Sequence, residues 1–438
     1  MDFLGHFLVN IPLAVGRRTV DLEIDASHLL DILTPALPAE RRSPTALVET
    51  KLKAAAFDEI VRQKRSATIV VPDKTRRCGA RHFLPVLLEK LNAAGIAEQK
   101  VRVVLANGSH PGHRRQEIED ILGREVARRV LVTQHDCRDS THLRFLGTTQ
   151  FDTPVWLSDY VLDTECLLVT GTVVHHYFAG YGGGAKMINP GCAGEETIKR
   201  NHALTIDRER GGIHPGCGPG QMAGNPVQED IWSSMRFVRS DFLLETLLDE
   251  HGRIVEVVCG RDLRETHLAA CRLADRFYRR PIAKRADLVV VSCGGWPKDI
   301  NLIQSHKAIR HAFQAVKPGG VILAVAECSQ GIGSETFLPW FDIEDDSTLA
   351  AELAENYTLN GTTALSVRTM ARSATIVLVS ELEESVVRKI GLLPARTLQE
   401  GWRTAGSLLP EKFDCYVIPN GSLTLPEMRR VRWNGVVI

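Results

Sequence analysis

Short runs of apolar, mostly β-branched residues recur along this chain, and each leads directly into a polar or glycine-rich turn. "SATIVV" leads into "PDKTRR", "VRVVLA" into "NGSHPG", "VLVTQ" into "HDCRD", and "CLLVTGTVV" into "HHYFAGYGGG". Continuously apolar runs predict strands buried on both faces, as in a parallel sheet. Helical patterns separate some of them. "ARHFLPVLLEKLNAAG" is one, with Gly95 as its predicted stop. A second series begins near residue 283. "ADLVVVS" leads into "CGGWPKD", followed by the helix-like "NLIQSHKAIRHAFQAV", "KPGG", "VILAVAE" and "SATIVLVS". Asp299 or Asn301 is the predicted cap of that helix and "VKPGG" its predicted end. The alternation predicts an α/β protein of two domains, with mostly parallel sheets flanked by helices. The first domain is expected over 1–280 and the second over 283–413, divided near Pro281. The tail 414–438 reads as a further strand and turn that rejoins the first domain. The N-terminus, "MDFLGHFLVNIPLAVGRR", reads as a first strand or strand pair. Asp2 and His6 stand where a signal peptide needs a basic start, and Asn10 and Pro12 interrupt the apolar run.

Composition removes several function classes from this picture. Basic and acidic residues balance at 53 each, so no global positive field draws in nucleic acid. No apolar run is long enough to span a bilayer, so no membrane partner is expected. None of the ten cysteines forms a C-x-x-C pair, which argues against a zinc knuckle or a thioredoxin-like motif. Several, such as Cys166 and Cys293, fall in apolar strand-like runs. Free buried thiols in a reducing cytoplasm account for that pattern.

The chemistry collects at predicted strand ends, where open α/β sheets bind ligands. Asp73, Thr75 and Arg76 follow one strand, Asn107, Ser109 and His110 the next. His135 and Asp136, His175 and His176, and Lys298, Asp299 and Asn301 follow others. The stretch "HHYFAGYGGGAKMINPG" resembles a phosphate loop but fails two tests. Ala185 and Met187 flank the lysine, so the hydroxyl a magnesium-nucleotide loop needs is missing. Asn189-Pro190-Gly191 also stops the helix that a dinucleotide fingerprint requires. What survives is a backbone able to approach an anion closely at Gly182, Gly183 and Gly184, with Lys186 held within it. Beyond it, Glu195 and Glu196 suit a helix start, and His202 lies at the far end of that helix as a candidate metal ligand. Two other readings are open on the residues alone. One is a metal-dependent hydrolase using His110, His135, Asp136 and His176. The other is a small-molecule-binding protein without catalysis, although the potentially reacting residues His110, His176, Lys186 and His202 are all present.

Taken together, "DKTR", "NGSH", "HDC", "HHYFAGYGGGAKMINPG", "NH" and "NLIQSHK" resemble the lactate racemase family, nickel-dependent 2-hydroxyacid racemases and epimerases. The resemblance implies an active site in the cleft between two α/β domains and a nickel-pincer nucleotide cofactor. That cofactor is a pyridinium mononucleotide whose thioamide and thiocarboxylate bind nickel through sulfur and through ring carbon C4. It implies that Lys186 carries the cofactor covalently, that His202 completes the nickel coordination and that Asp73 contacts the cofactor. His110 and His176 fall at the family's two catalytic histidines. Arg76, Gln304 and Lys307 fall at positions that orient a 2-hydroxy acid. The implied reaction oxidises the substrate briefly to a planar 2-keto acid by hydride transfer, and hydride return to the other face inverts the centre. Cofactor-synthesis proteins are the implied transient partners. The sequence departs from the family at His175, where proline is expected, and at Ser109, where threonine is usual. Ile303 stands where the lactate-acting member has tyrosine. His306 stands where a small apolar residue is expected, and a surface position on its helix is the alternative reading of that residue.

Overall fold

The structure is a computed structural model and describes residues 7–40 and 42–429, with the backbone of Arg432–Trp433 and Val436–Val437. Asp2 and His6 lie outside the described residues. The described part of the N-terminal segment forms a hairpin of β1 (Leu8–Val15) and β2 (Arg18–Asp25), followed by β3 (Leu29–Ile32). Six later strands are β4 (Ala67–Pro72), β5 (Val101–Ala106), β6 (Leu131–Gln134), β7 (Leu167–Thr172), β8 (Phe242–Leu248) and β9 (Ile254–Gly260). They form one sheet in the order β9-β8-β7-β4-β5-β6, parallel except for the antiparallel edge strand β9. Every residue of β4, β7 and β8 is buried, as expected of largely apolar strands in a parallel sheet. Helix Ala80–Ala93 covers one face through Phe83, Leu84, Leu87, Leu88 and Leu91. It stops where predicted: Gly95 takes φ +92°, and its N–H reaches the Asn92 carbonyl at 2.9 Å.

The strand order reverses between β4 and β7. The chain steps outward from β4 through β5 to β6, then returns to the other side of β4. Such a reversal opens a crevice at the carboxyl ends of the two central strands. Asp73 follows β4, and the stretch from His175 to Lys186 follows β7.

The second sheet contains β3, β10 (Ala286–Ser292), β11 (Val316–Val325), β12 (Thr375–Val379), β13 (Leu393–Ala395) and β14 (Cys415–Ile418). Its order is β13-β12-β11-β10-β14-β3, and it is parallel throughout. The chain thus forms two compact units. One comprises Met1–Ala36, Ile206–Ile213 and Tyr278–Ile438, the other Leu37–Thr205 and His214–Phe277.

This division corrects the sequence expectation in two places. The tail strand β14 inserts between β10 and β3 instead of rejoining the first sheet. The N-terminal hairpin also belongs with the C-terminal sheet, because Ile11, Leu13, Leu22 and Ile24 pack against Leu288, Val290, Leu323 and Val417. An apolar pattern specifies a strand and its buried face but not which sheet supplies its partners. The "KPGG" stretch is likewise not the end of a helix. Helix Leu302–Ala312 stops earlier, and β11 runs through Lys317–Gly320. Asn301 is its cap, accepting the Gln304 N–H at 3.0 Å. Asp299 instead is buried, and one of its oxygens accepts from Gly16 N at 2.6 Å and Glu327 N at 3.1 Å. All ten cysteines are free, and only Cys259 is not fully buried. No described helix is long and apolar enough to cross a membrane.

Candidate active site

The loops that leave β4, β5, β6 and β7 are laced together by hydrogen bonds. Gly108 N donates to Gly191 O at 2.9 Å, and Glu195 N donates to Cys137 O at 2.9 Å. His135 Nε2 lies 2.9 Å from Ala193 O, and Asn107 Nδ2 donates to His135 O at 3.1 Å. Loops far apart in sequence are therefore held in one arrangement.

Asp73 caps the short turn Lys74–Arg76, accepting from Thr75 N at 3.1 Å and Thr75 Oγ1 at 2.8 Å. Its second oxygen lies 2.5 Å from His110 Nδ1. Burial pushes the Asp73 carboxyl up. The adjacent His110 ring, the Arg76 guanidinium and the Thr75 hydroxyl outweigh that and hold it well below the usual carboxylate range. A carboxylate on Nδ1 fixes the His110 proton there and leaves Nε2 as the acceptor.

His176 lies in a two-residue strand, His175–His176, paired with Ala179–Tyr181. Its Nδ1 accepts from Ala179 N at 3.3 Å, so the neutral ring carries its proton on Nε2. Side chains alternate along a strand, and His175 turns the other way. Its Nε2 lies 2.9 Å from Asp275 Oδ1, which also accepts from the Tyr181 hydroxyl at 2.7 Å. The residue without an assignment in the sequence is thus a buried structural partner of Asp275.

Lys186 sits on the 3-10 turn Gly184–Met187 and is only 3% exposed. Its Nζ lies 5.4 Å from the Phe178 ring centroid, and Phe178 meets His202 edge-on at 5.2 Å. His202 occupies the last turn of helix Glu195–Ala203. Burial, reinforced by the positive charges of Lys186 and Arg76, pushes its imidazole down to about 3. The structure therefore brings Asp73, Arg76, His110, Lys186 and His202 into one electrostatic neighbourhood, with Lys186 and His202 meeting around one aromatic ring.

The glycine run has a second reason that sequence reading missed. Gly183 and Gly184 take φ +84° and +55°, which favour glycine. A Cβ at Gly183 would also overlap Glu245 Oε1, and one at Gly184 would lie 2.6 Å from His267 Cγ. Glu245 Oε1 accepts from Gly184 N at 2.6 Å, and both its oxygens lie within 3.1 Å of His267 Nδ1. A signal existed, since "FLLETLL" places one acid in a mostly apolar strand, and a buried acid needs donors. Nothing comparable marked His267.

Two residues of the hydrolase reading are engaged elsewhere. His135 is committed to the Ala193 carbonyl, and Asp136 is exposed and caps Arg138 N at 2.9 Å. Among the described residues, no three His, Cys, Asp or Glu side chains group as metal ligands.

The other unit holds Gln304 and Lys307 one turn apart on helix Leu302–Ala312, and Lys307 Nζ donates to Gln304 Oε1 at 2.6 Å. His306 is not a surface residue. It is fully buried with Nε2 2.8 Å from Ser366 Oγ, and burial followed by the nearby Arg310 and Lys307 charges pushes its imidazole down to about 3. At the i, i+3 and i, i+4 spacings of this helix, the residue after Ser305 faces the neighbouring helix Gly361–Ser373 rather than solvent.

Comparison with known proteins agrees with this architecture. Residues 15–213 match the model of the lactate racemase N-terminal domain, and residues 282–425 match that of the lactate racemase C-terminal domain. Lactate racemase from Thermoanaerobacterium thermosaccharolyticum is 27% identical over 426 residues, which span 94% of this chain and 98% of that protein. Lactate racemase from Lactiplantibacillus plantarum is 22% identical over 426 residues, spanning 94% and 99%. The structure of the Thermoanaerobacterium thermosaccharolyticum lactate racemase apoprotein superposes with a TM-score of 0.87 at 25% identity, covering 96% of this chain and all of that one. A Thermotoga maritima protein shares the fold, with a TM-score of 0.67 at 15% identity over 89% of this chain and all of its own. The chain belongs to the lactate racemase family and is an isomerase of the racemase type.

Proposed function

We propose that this enzyme inverts the C2 centre of a 2-hydroxy acid, using a nickel-pincer nucleotide attached to Lys186. The observation that carries the reading is the buried Lys186 ammonium beside a neutral His202, the two meeting around Phe178. The donor set fits such a group. A neutral imidazole is the form that ligates a metal, and a single histidine suffices where a cofactor supplies the remaining ligands. The glycine turn leaves backbone close to any nucleotide held by Lys186. When bound, the cofactor supplies a hydride acceptor for the substrate's Cα.

The chain's own residues then handle charge and protons. Arg76 pairs with the substrate carboxylate, and Lys307 and Gln304 orient it. His110, with Nδ1 held by Asp73, presents a bare Nε2 that takes the hydroxyl proton. His176 returns a proton to the oxygen as an imidazolium, for which its ring releases the Ala179 N–H and takes up a second proton on Nδ1. Each ring cycles between imidazole and imidazolium, so one histidine serves each enantiomer. Ile303 and His306 mark the positions where this chain differs from the lactate-acting pattern, so lactate is one candidate among several. Loading depends on cofactor-synthesis proteins in the cytoplasm, where the free buried thiols stay reduced.

The test is a panel of 2-hydroxy acids incubated with loaded enzyme in D₂O, read by chiral separation and mass. Inversion with the α-hydrogen retained supports hydride transfer. Inversion with deuterium at Cα would replace it with proton abstraction.

A further inference from the structure

Helix Leu263–Tyr278 carries His267, Cys271 and Asp275 at successive i, i+4 positions, so the three lie along one face. That face meets the loop His175–Met187 at both of its ends. Asp275 Oδ1 accepts from His175 Nε2 and from the Tyr181 hydroxyl, and these two residues pair directly across the hairpin that carries His176. At the other end, His267 Nδ1 lies 2.9 and 3.1 Å from the two oxygens of Glu245. Glu245 in turn accepts the Gly184 N–H, two residues before Lys186. Cys271 Sγ lies 3.4 Å from His267 Nε2. Burial raises the Cys271 thiol far above its ordinary value, so it stays protonated. Its S–H donates to Nε2, and that fixes the His267 proton on Nδ1 for Glu245.

We propose that this helix face and Glu245 of β8 form a brace, in which Asp275 and Glu245 are positioning residues that fix His176 and Lys186. Asp275 acts through His175 and Tyr181, and Glu245 acts through Gly184. The proposal rests on the roles given above to His176 and Lys186.

The loop needs such support. Its regular structure amounts to a two-residue strand, a three-residue strand and one 3-10 turn, with glycines at 180, 182, 183 and 184. Glycine-rich backbone has the most conformational freedom to lose. Reacting groups must nevertheless be held to within a fraction of an ångström. The two anchors differ in depth. Glu245 and His267 have 0% exposure, whereas the Asp275 side chain is 36% exposed. A carboxylate buried so completely is held by its donors, and losing one is costly.

The test uses full-length protein without cofactor and two site-resolved labels read by peptide mass spectrometry. Diethyl pyrocarbonate reports His176, and an acetylating reagent reports Lys186. Asp275→Ala should speed labelling of His176 by roughly tenfold, the size expected for a lost hydrogen bond to a charged group, and leave Lys186 unchanged. Glu245→Ala should do the reverse. Asp275→Asn and Glu245→Gln, which keep an acceptor at each anchor, should return labelling to the parent rate. If Glu245→Ala does not fold, Cys271→Ala takes its place, with a smaller acceleration confined to Lys186. Unchanged labelling at both sites, or parallel acceleration at both in each variant, would overturn the brace. The labels are read without cofactor, so they stand even if turnover assays remove His176 or Lys186 from the chemistry.

Discussion

The strand-end loops beyond β4, β5 and β7 and the helix Leu302–Ala312 carry their candidate residues in contrasting ways. In the loops, His110 is tied to Asp73 and Gly108 to Gly191, so residues distant in sequence are locked together, and His176 is tied locally to Ala179. On the helix, Gln304 and Lys307 occupy a single turn and share a side-chain hydrogen bond, while their neighbour His306 is turned into the core. The difference teaches a division of labour. The proposed proton handling needs rings held in place, and each ring has a second partner. In the proposed orienting role, Lys307 exchanges its bond to the neutral Gln304 amide for one to the ligand.

The predictions test that division, beginning with the largest effect. His110→Ala or His176→Ala should lower racemisation by about 10²–10⁴-fold, the range for a lost general acid or base, with nickel content unchanged. Nickel loss in both variants would remove them from the acid–base role. His202→Ala should show the reverse priority, losing most bound nickel on desalting while the protein stays folded. Full nickel retention would exclude His202 as a ligand. Lys307→Ala should act mainly on KM, raising it roughly tenfold with a smaller change in kcat, as expected for uniform binding. A loss as large as that of His110→Ala, falling on kcat, would erase the contrast between loop and helix.

The smallest effect concerns stability and pH. Burial holds the folded His306 at about 3 against an ordinary 6.5. The unfolded chain therefore binds more protons between those values, and stability falls as pH drops from about 6.5 toward 3. His306→Gln keeps a partner for Ser366 without titrating, so its denaturant midpoint should fall less steeply over that window. An unchanged slope would show that His306 contributes nothing to acid sensitivity.

The legible part of this molecule was whatever depends on local pattern. Buried strands announced themselves as unbroken apolar runs, and the residues just beyond them could be picked out because strand ends are where α/β sheets bind ligands. Gly95 ended its helix for a reason visible in the sequence. Partnership was not legible. β14 and the N-terminal hairpin have clear strand patterns, yet nothing in them names β10 or the face they cover. The same limit applied at the site. Asp73 and His110 were each singled out, but their bond spans 37 positions, and the Glu245–His267 pair behind the glycines spans 22. His175 and His176 are adjacent and chemically identical. Only the pleat of a two-residue strand, with Asp275 waiting on one side, separates a structural histidine from a candidate catalytic one.

The central claim is that Lys186 is the point of covalent attachment. Intact-protein mass spectrometry of the chain coexpressed with cofactor-synthesis proteins tests it directly. The account predicts an added mass that localises to the peptide containing Lys186 and is absent from Lys186→Ala. No added mass on the parent protein, or an adduct that persists in Lys186→Ala, would contradict it.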